Sequence, residues 1–249
     1  MAAIIIFFFG HWFLSLFFHS FFLHRYGSHG MFTMSRGWEK FFYLMTFITQ
    51  GSTFLDPRAY ALMHRMHHAY ADTDRDPHSP HNHKNVVRMM LKTAQTYGDI
   101  MTNKITVSDE FQGNIPQWDS FGKFAHNRLI GLVFVGLYTA FYIVFAPSLW
   151  WFLLLPIHVI MGPVQGAIVN WCGHKYGNVR YKKLGDKSHN ALPIDFMTLG
   201  ELYQNNHHRS PQNPNLAHRW YELDPVYAVI RLLDLVGIIH IVRQPAGAV

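Results

Sequence analysis

Charge is missing from two long stretches of this 249-residue chain. Ile4 to Leu23 contains no Asp, Glu, Lys or Arg, and neither does the 44-residue run from Leu129 to Cys172. All 21 Lys and Arg, and all 15 Asp and Glu, lie between Arg25 and Arg128 or between Lys175 and Arg243. A water-soluble domain has no reason to sort its charges in this way, so the chain reads as an integral membrane protein. Cysteine is almost absent. The lone Cys172 excludes an internal disulfide and fits a reducing compartment. No basic region precedes the first apolar run and no small-residue cleavage pattern follows it, which argues for a retained helix over a cleaved signal peptide. No nucleic-acid-binding motif accompanies the net charge of +6, which better suits anionic lipid head groups and acidic substrates on the cytoplasmic side. No internal repeat or low-complexity linker divides the chain, so residues 1–249 read as one domain.

What the chain does have is histidine. The stretch Tyr60 to His83 reads YALMHRMHHAYADTDRDPHSPHNH. His64, His67 and His68 stand at i, i+3 and i+4, which on a helix shares one face. His64 and His68, one turn apart, can bind one metal while His67 points to a neighbouring position. Imidazole suits iron, zinc, copper or nickel. A merely polar helix face is the alternative, and other histidines weigh against it. His24 and His29 close the first apolar run in HRYGSH, a spacing of five that alone signals little. Asn170 and His174 lie at i and i+4 in NWCGH, at the end of the second apolar run, and His207 and His208 close QNNHH. Asp72, Asp74 and Asp76 lack the glycine and terminal glutamate of a calcium loop. They read as caps, arginine partners, or acceptors behind ligand imidazoles. His11 and His19 read as hydrogen-bonded residues facing other helices or as support for a metal. His78 reads as support, His81 and His83 as solvated, and His126, His158, His189, His218 and His240 as structural or surface residues.

The apolar runs predict an all-α membrane protein with three crossings, at about 4–23, 129–146 and 149–172. Pro156, Gly162 and Pro163 predict a kink in the third. Residues 24–128 and 173–249 are then cytoplasmic or interfacial, forming a helical cap. The N-terminus lies outside, and every Lys and Arg falls inside. Trp38 to Ala61 is apolar enough to suggest another span. If His24/His29 and His64/His67/His68 share a site, however, this connection must enter and leave by one face. It is too short for two crossings, and Asp56-Pro57 interrupts any helix near its end. A helix is expected around Val86 to Tyr97. The last segment, Tyr227 to Ile241, reads as an interfacial or packed helix, because Arg231 and Asp234 make a span costly.

Eight imidazoles (His24, His29, His64, His67, His68, His174, His207 and His208) are too many for one metal and about right for two. Hydrolytic zinc usually takes three protein ligands and a water. Two irons with open positions for oxygen fit better, and such chemistry can attack the unactivated C–H bonds of an acyl chain. HRYGSH, HRMHH, QNNHH and NWCGHKYGN, with Asp76-Pro77-His78 and Gly200-Glu201, resemble the histidine boxes of membrane fatty acid desaturases. The similarity is to the stearoyl-CoA desaturase type and its bacterial acyl-CoA relatives, and covers roughly His24 to Trp220.

The resemblance implies that His24, His29, His64, His68 and His207 bind one iron. It implies that His67, His174 and His208 bind the other, with Asn170 reaching it through a water, and that Asp76 and His78 stand behind the ligands. Gln204 replaces a histidine usual in the third box, and is expected to ligate weakly or hold water. A membrane helix preceding the first box helix in that relative has no counterpart here. The implied reaction is oxygen-dependent desaturation of a saturated fatty acyl thioester, as acyl-CoA or on another acyl carrier, at the delta-9 position. No haem, flavin or iron–sulfur module is evident in the sequence, so electrons are expected from a separate donor of cytochrome b5 or ferredoxin type. A lipid or alkyl hydroxylase and a non-enzymatic membrane metal-binding protein are the other readings. Tyr60, Trp171 and Trp220 are candidates for an acyl tunnel or for interface anchors.

Overall fold

The computed structural model describes residues 1–242. The first apolar run forms α1, Ala2–Phe18, which passes without a break into a π-wound segment, His19–Ser28. A short strand β1, Phe32–Met34, leads into α2, Arg36–Gln50. The chain reverses at Gly51, whose φ is +53°, and returns as α3, Pro57–Tyr70. Asp56 caps α3 by accepting from the Ala59 N–H (2.8 Å), and Pro57 occupies its first turn. These two residues start a helix as well as interrupt the preceding one. The α2–α3 hairpin thus brings His64 back to His29, as a shared site requires.

Next come α4 (Val86–Met101), α5 (Asp119–Ala125), α6 (Arg128–Phe145), α7 (Leu155–Val159), α8 (Met161–Gly173), α9 (Gln204–Arg209) and α10 (Pro225–Leu235). Side-chain oxygens of Asn85, Asn127 and Asp224 cap α4, α6 and α10. Residues Ala2–Ser28 and α6 are long and apolar enough to cross a membrane. Leu149–Val159 and Met161–Gly173 form a pair bent by 65°, which makes a third crossing only if the pair counts as one broken span. The break at Ile160 falls between Pro156 and Pro163, where missing N–H donors weaken the helical ladder. Along α6, Leu132, Val133, Leu137, Ile143 and Val144 are all exposed, an apolar surface suited to lipid.

One expectation needs correction, the helix through Ile241. The fold is mostly helical, with one two-stranded sheet in which β2, Ile239–Ile241, pairs antiparallel with β1, in register Phe32↔Ile241 and Met34↔Ile239. The terminal helix stops at Leu235 because Gly237, at φ +74°, turns the chain and the β-branched run after it pairs instead. Of the segments expected outside the membrane, the first carries helices α2 to α5, whereas no helix occurs from His174 to Tyr203 among the described residues.

The main core packs Phe21, Phe22 and Leu23 of the π segment against Phe32, Phe42, Tyr43, Val226 and Ile230. Buried Arg25 ties the two ends of the chain together. It donates two 3.0 Å hydrogen bonds to the Asp224 carboxylate and one to the Pro214 carbonyl. At the α2 turn, a Cβ on Gly51 would lie 1.8 Å from the Tyr138 hydroxyl, in a backbone region favouring glycine. Gly51→Ala is therefore expected to cost at least about 1–3 kcal/mol, read as a lowered unfolding temperature in detergent. Tyr138→Phe in the same chain should recover part of that loss.

Candidate metal centre

The π winding explains a spacing that is uninformative on an α-helix. Residues five apart diverge by roughly 140° around an α-helix, whereas π hydrogen bonds join i to i+5 and bring such residues nearly over one another. The His29 N–H bonds the His24 carbonyl across this interval (3.2 Å), and the two rings lie 5.0 Å apart. On α3, His64 and His68 turn to this pair while His67 faces away from it. The tight turn into α9 then delivers adjacent His207 and His208, one to each side.

Two groups of imidazole nitrogens result. His24, His29, His64, His68 and His207 place one nitrogen each within 4.8 Å of all the others, and His67, His174 and His208 form a second such group. Within the first, the Nε2–Nε2 separations are 3.0 Å for His24–His207, 2.9 Å for His29–His64, 3.1 Å for His64–His68 and 2.9 Å for His68–His207. In the second, His67 and His208 approach to 3.2 Å. The groups are adjacent, the His68 and His208 rings lying 4.5 Å apart.

Carboxylates fix the tautomers of half these rings. Nδ1 of His67 is 2.8 Å from Asp76, Nδ1 of His174 is 2.9 Å from Asp72, and Nδ1 of His208 is 2.8 Å from Asp186. In the five-histidine group only His24 has such a partner, Glu201 at 2.8 Å. A carboxylate can only accept, so each Nδ1 carries the proton and each Nε2 presents a bare lone pair. Burial and then the neighbouring imidazoles hold His64, His68 and His207 neutral, well below the ordinary histidine range. Burial brings His208 to about 4 despite its bond to Asp186. Burial would raise the acids, but their imidazole partners hold Asp72, Asp76, Asp186 and Glu201 below the usual carboxylate range.

Where both nitrogens are bare, as for His67 and His208 at 3.2 Å, the lone pairs repel unless a cation lies between them. A metal–nitrogen bond of about 2.1 Å places neighbouring nitrogens at about 3.0 Å in a right-angled shell, and at about 3.4 Å in a tetrahedral one. The separations of 2.9–3.1 Å in the first group are those of nitrogens gathered around one cation. The residues therefore fit a pair of metal ions.

Other candidates have distinct places. Asn170 lies on α8 one turn before His174. Gln204 is buried, donates to the Glu201 carbonyl (2.7 Å), and packs where a Cβ on Gly173 would sit. His78 is buried, stacks on His67 at 4.3 Å, and forms a third possible ligand group with His67 and Asp76. His19 bonds the Tyr60 hydroxyl (3.0 Å) and Gln50 (3.2 Å), and Tyr60 stacks on His64. His11 packs on His158 and Tyr138 instead, away from both groups. Trp220 is 94% exposed and lines no tunnel. Reading the sequence failed to single out Asp186, and gave Asp72 no particular partner. Both follow turn-forming residues far from the ligands they serve, so spacing carried no signal. Glu201 was visible as a motif residue without its role behind His24.

The geometry thus defines a helical protein with two adjacent histidine groups, each able to hold a metal ion. The chain matches the fatty acid desaturase family over residues 1–235 and belongs to it. It is 29% identical over 231 residues to the sn-1 stearoyl-lipid 9-desaturase of Synechocystis sp., covering 89% of this chain and 66% of that relative. Delta-9 acyl-lipid desaturase 1 of Arabidopsis thaliana is 25% identical over 224 residues, covering 90% and 70%. The acyl-CoA C20 Delta5-desaturase of Anemone leveillei is 25% identical over 236 residues, covering 90% and 68%. The chain spans about two thirds of the length of these relatives.

Two outcomes test the centre. Asp186→Asn should weaken metal binding at the three-histidine group by about 10–100-fold, seen as loss of close to one metal per chain under chelator competition. The metal-free protein should also lose stability as pH falls from about 6.5 toward 4. The unfolded chain takes up protons on histidines that the fold keeps neutral, His208 with its pKa of about 4 among them. Thermal unfolding across that window measures the loss, and bound metal should reduce it.

Proposed function

We propose that this chain is an oxygen-dependent di-iron desaturase that introduces a cis double bond into a saturated fatty acyl chain. The observation that carries the reading is the pair of adjacent imidazole groups whose ring nitrogens converge closely enough for each group to hold a metal ion. His24, His29, His64, His68 and His207 would hold one iron. His67, His174 and His208 would hold the other, with Asn170 reaching it through a water. When bound, the irons supply the redox chemistry with oxygen that acid–base or nucleophilic side chains lack. The protein's own part is to orient imidazoles through Glu201, Asp76, Asp72 and Asp186, and to shut bulk water out with the aromatic core around the π segment. Gln204 would act as a packing residue against Gly173, or hold a water near the centre.

The delta-9 position is supported by the names of two relatives. The carrier in this proposal is coenzyme A, although the relatives' names include both lipid-linked and coenzyme A-linked chains. Residues 1–249 would act as one multi-pass membrane domain with its metal site on the cytoplasmic face. Two electrons per turnover would come from a separate donor of cytochrome b5 or ferredoxin type.

Expression in a host lacking unsaturated fatty acids, followed by mass spectrometry of its lipids, tests the reading. A new cis double bond at carbon 9 is expected. A hydroxylated chain would favour the hydroxylase reading, and bound metal without any lipid change the non-enzymatic one. His67→Ala should abolish the product while the protein still inserts in the membrane; retained product would overturn the ligand assignment.

A further inference from the structure

The asparagines of QNNHH take no part in either metal group, yet both are buried and fully engaged. Asn205 accepts from the Tyr181 N–H (2.7 Å) and donates to the Tyr181 carbonyl and to Ser188 Oγ. Asn206 accepts from the Asn190 side chain (2.9 Å) and donates to the Leu216 carbonyl and to Glu222. They clamp one loop, residues 175–190, onto the helix that carries His207 and His208.

That loop is strongly basic. It holds Lys175, Arg180, Lys182, Lys183 and Lys187 against the single acid Asp186, so its net +4 is most of the chain's +6. Lys182, Lys183 and Lys187 are exposed. Asp186 is occupied with His208, and the Lys187 N–H donates to Asp72 (2.8 Å), which itself holds His174. Consecutive residues of the basic surface therefore reach two ligands of the three-histidine group through one or two hydrogen bonds. Arg180 donates to the His218 carbonyl, which sets the 94%-exposed Trp220 beside the same surface.

We infer that the loop 175–190 is the docking surface for a small acidic electron-transfer protein, whose electrons enter through the three-histidine group. This rests on the desaturase reading, whose balance is R–CH2–CH2–R′ + O2 + 2 H+ + 2 e− → R–CH=CH–R′ + 2 H2O. The two methylenes and a one-electron donor protein, oxidised twice, each supply two electrons to reduce O2. A rigid basic surface with short bonded paths to the ligands meets the two needs of such an encounter, electrostatic steering and a brief electron path. An exposed tryptophan at its edge gives an apolar anchor of the kind enriched at interfaces.

The test uses the full chain, metal-loaded, in nanodiscs of neutral phosphatidylcholine. The probes are the soluble haem domain of a cytochrome b5 and a [2Fe–2S] ferredoxin, both acidic. Lys182→Glu/Lys183→Glu is compared with a control reversal elsewhere, Lys104→Glu/Lys123→Glu. The expected result is salt-sensitive binding of at least one probe, weakened on the order of tenfold by the loop variant and not by the control. Donor-driven turnover should show a raised donor KM, while the acyl-CoA KM and a single turnover, begun by adding O2 after reduction with stoichiometric dithionite, stay unchanged. Equal binding by both variants, no binding of either probe to the unaltered chain, or a raised acyl-CoA KM in place of the donor KM would overturn the proposal. If the unaltered chain makes no product even with dithionite, the desaturase reading fails. The binding comparison would then still report on the surface by itself.

Discussion

Convergence of unprotonated nitrogens on a shared point is the constraint from which the remaining features follow. Eight imidazoles brought together in a dry site would normally protonate or disperse. Here burial keeps His64, His68, His207 and His208 neutral, and four acids give half of the eight rings a defined tautomer. Those acids carry four negative charges, and Arg25, bound to Asp224, also lies 3.5 Å from Glu201 and offsets part of that one. Two divalent ions would offset the rest. The facing Nε2 atoms of His67 and His208, 3.2 Å apart with both Nδ1 atoms on carboxylates, also repel without a cation between them. Metal binding relieves both at once, so it should act as part of the folding free energy.

How much of this could be read from the chain depends on whether spacing maps onto geometry. On α3 it does: i, i+3 and i+4 on a regular helix sort His64 and His68 to one group and His67 to the other. The charge gaps likewise locate α1 and α6, because the cost of a lone charge in hydrocarbon is a local property of sequence. The first box is different. Its five-residue interval becomes meaningful only through π winding, which no residue type announces. Asp72 and Asp186 were illegible for another reason. They sit in loops and meet their partners at separations that no helical or strand period marks, Asp72 meeting His174 across 102 residues and Asp186 meeting His208 across 22. The terminal strand escaped notice because the amphipathic pattern of α10 runs straight into a β-branched segment, with only Gly237 marking the change.

The polar groups inside the apolar helices follow one pattern. Tyr142 meets His158 at 3.2 Å, Gln165 donates to the Trp12 carbonyl at 2.8 Å, and His19 links Tyr60 to Gln50. Each joins helices that lipid alone would not hold in register, since hydrocarbon packs against leucine as well as leucine does. Pinned in this way, α1 reaches the metal centre at a fixed height. Arg25, one residue beyond His24, then binds the C-terminal segment at that level. A ligand helix, a crossing helix and the returning end of the chain are thus located by neighbouring residues of one motif.

The two metal groups are built from the same side chain yet are not equivalent. Three ligands with three carboxylates behind them leave a dication there with a net charge of −1. Five ligands with one carboxylate leave the other at +1. Anionic support makes an imidazole a stronger donor and favours the more oxidised metal, so the three-histidine position should be the harder of the two to reduce. It is also the position tied to the basic loop, through Asp186 and the Lys187 amide. With metal ions in both groups, the difference in supporting charge would make the five-histidine side the easier to reduce, and so would favour passage of an electron from the loop toward the π segment.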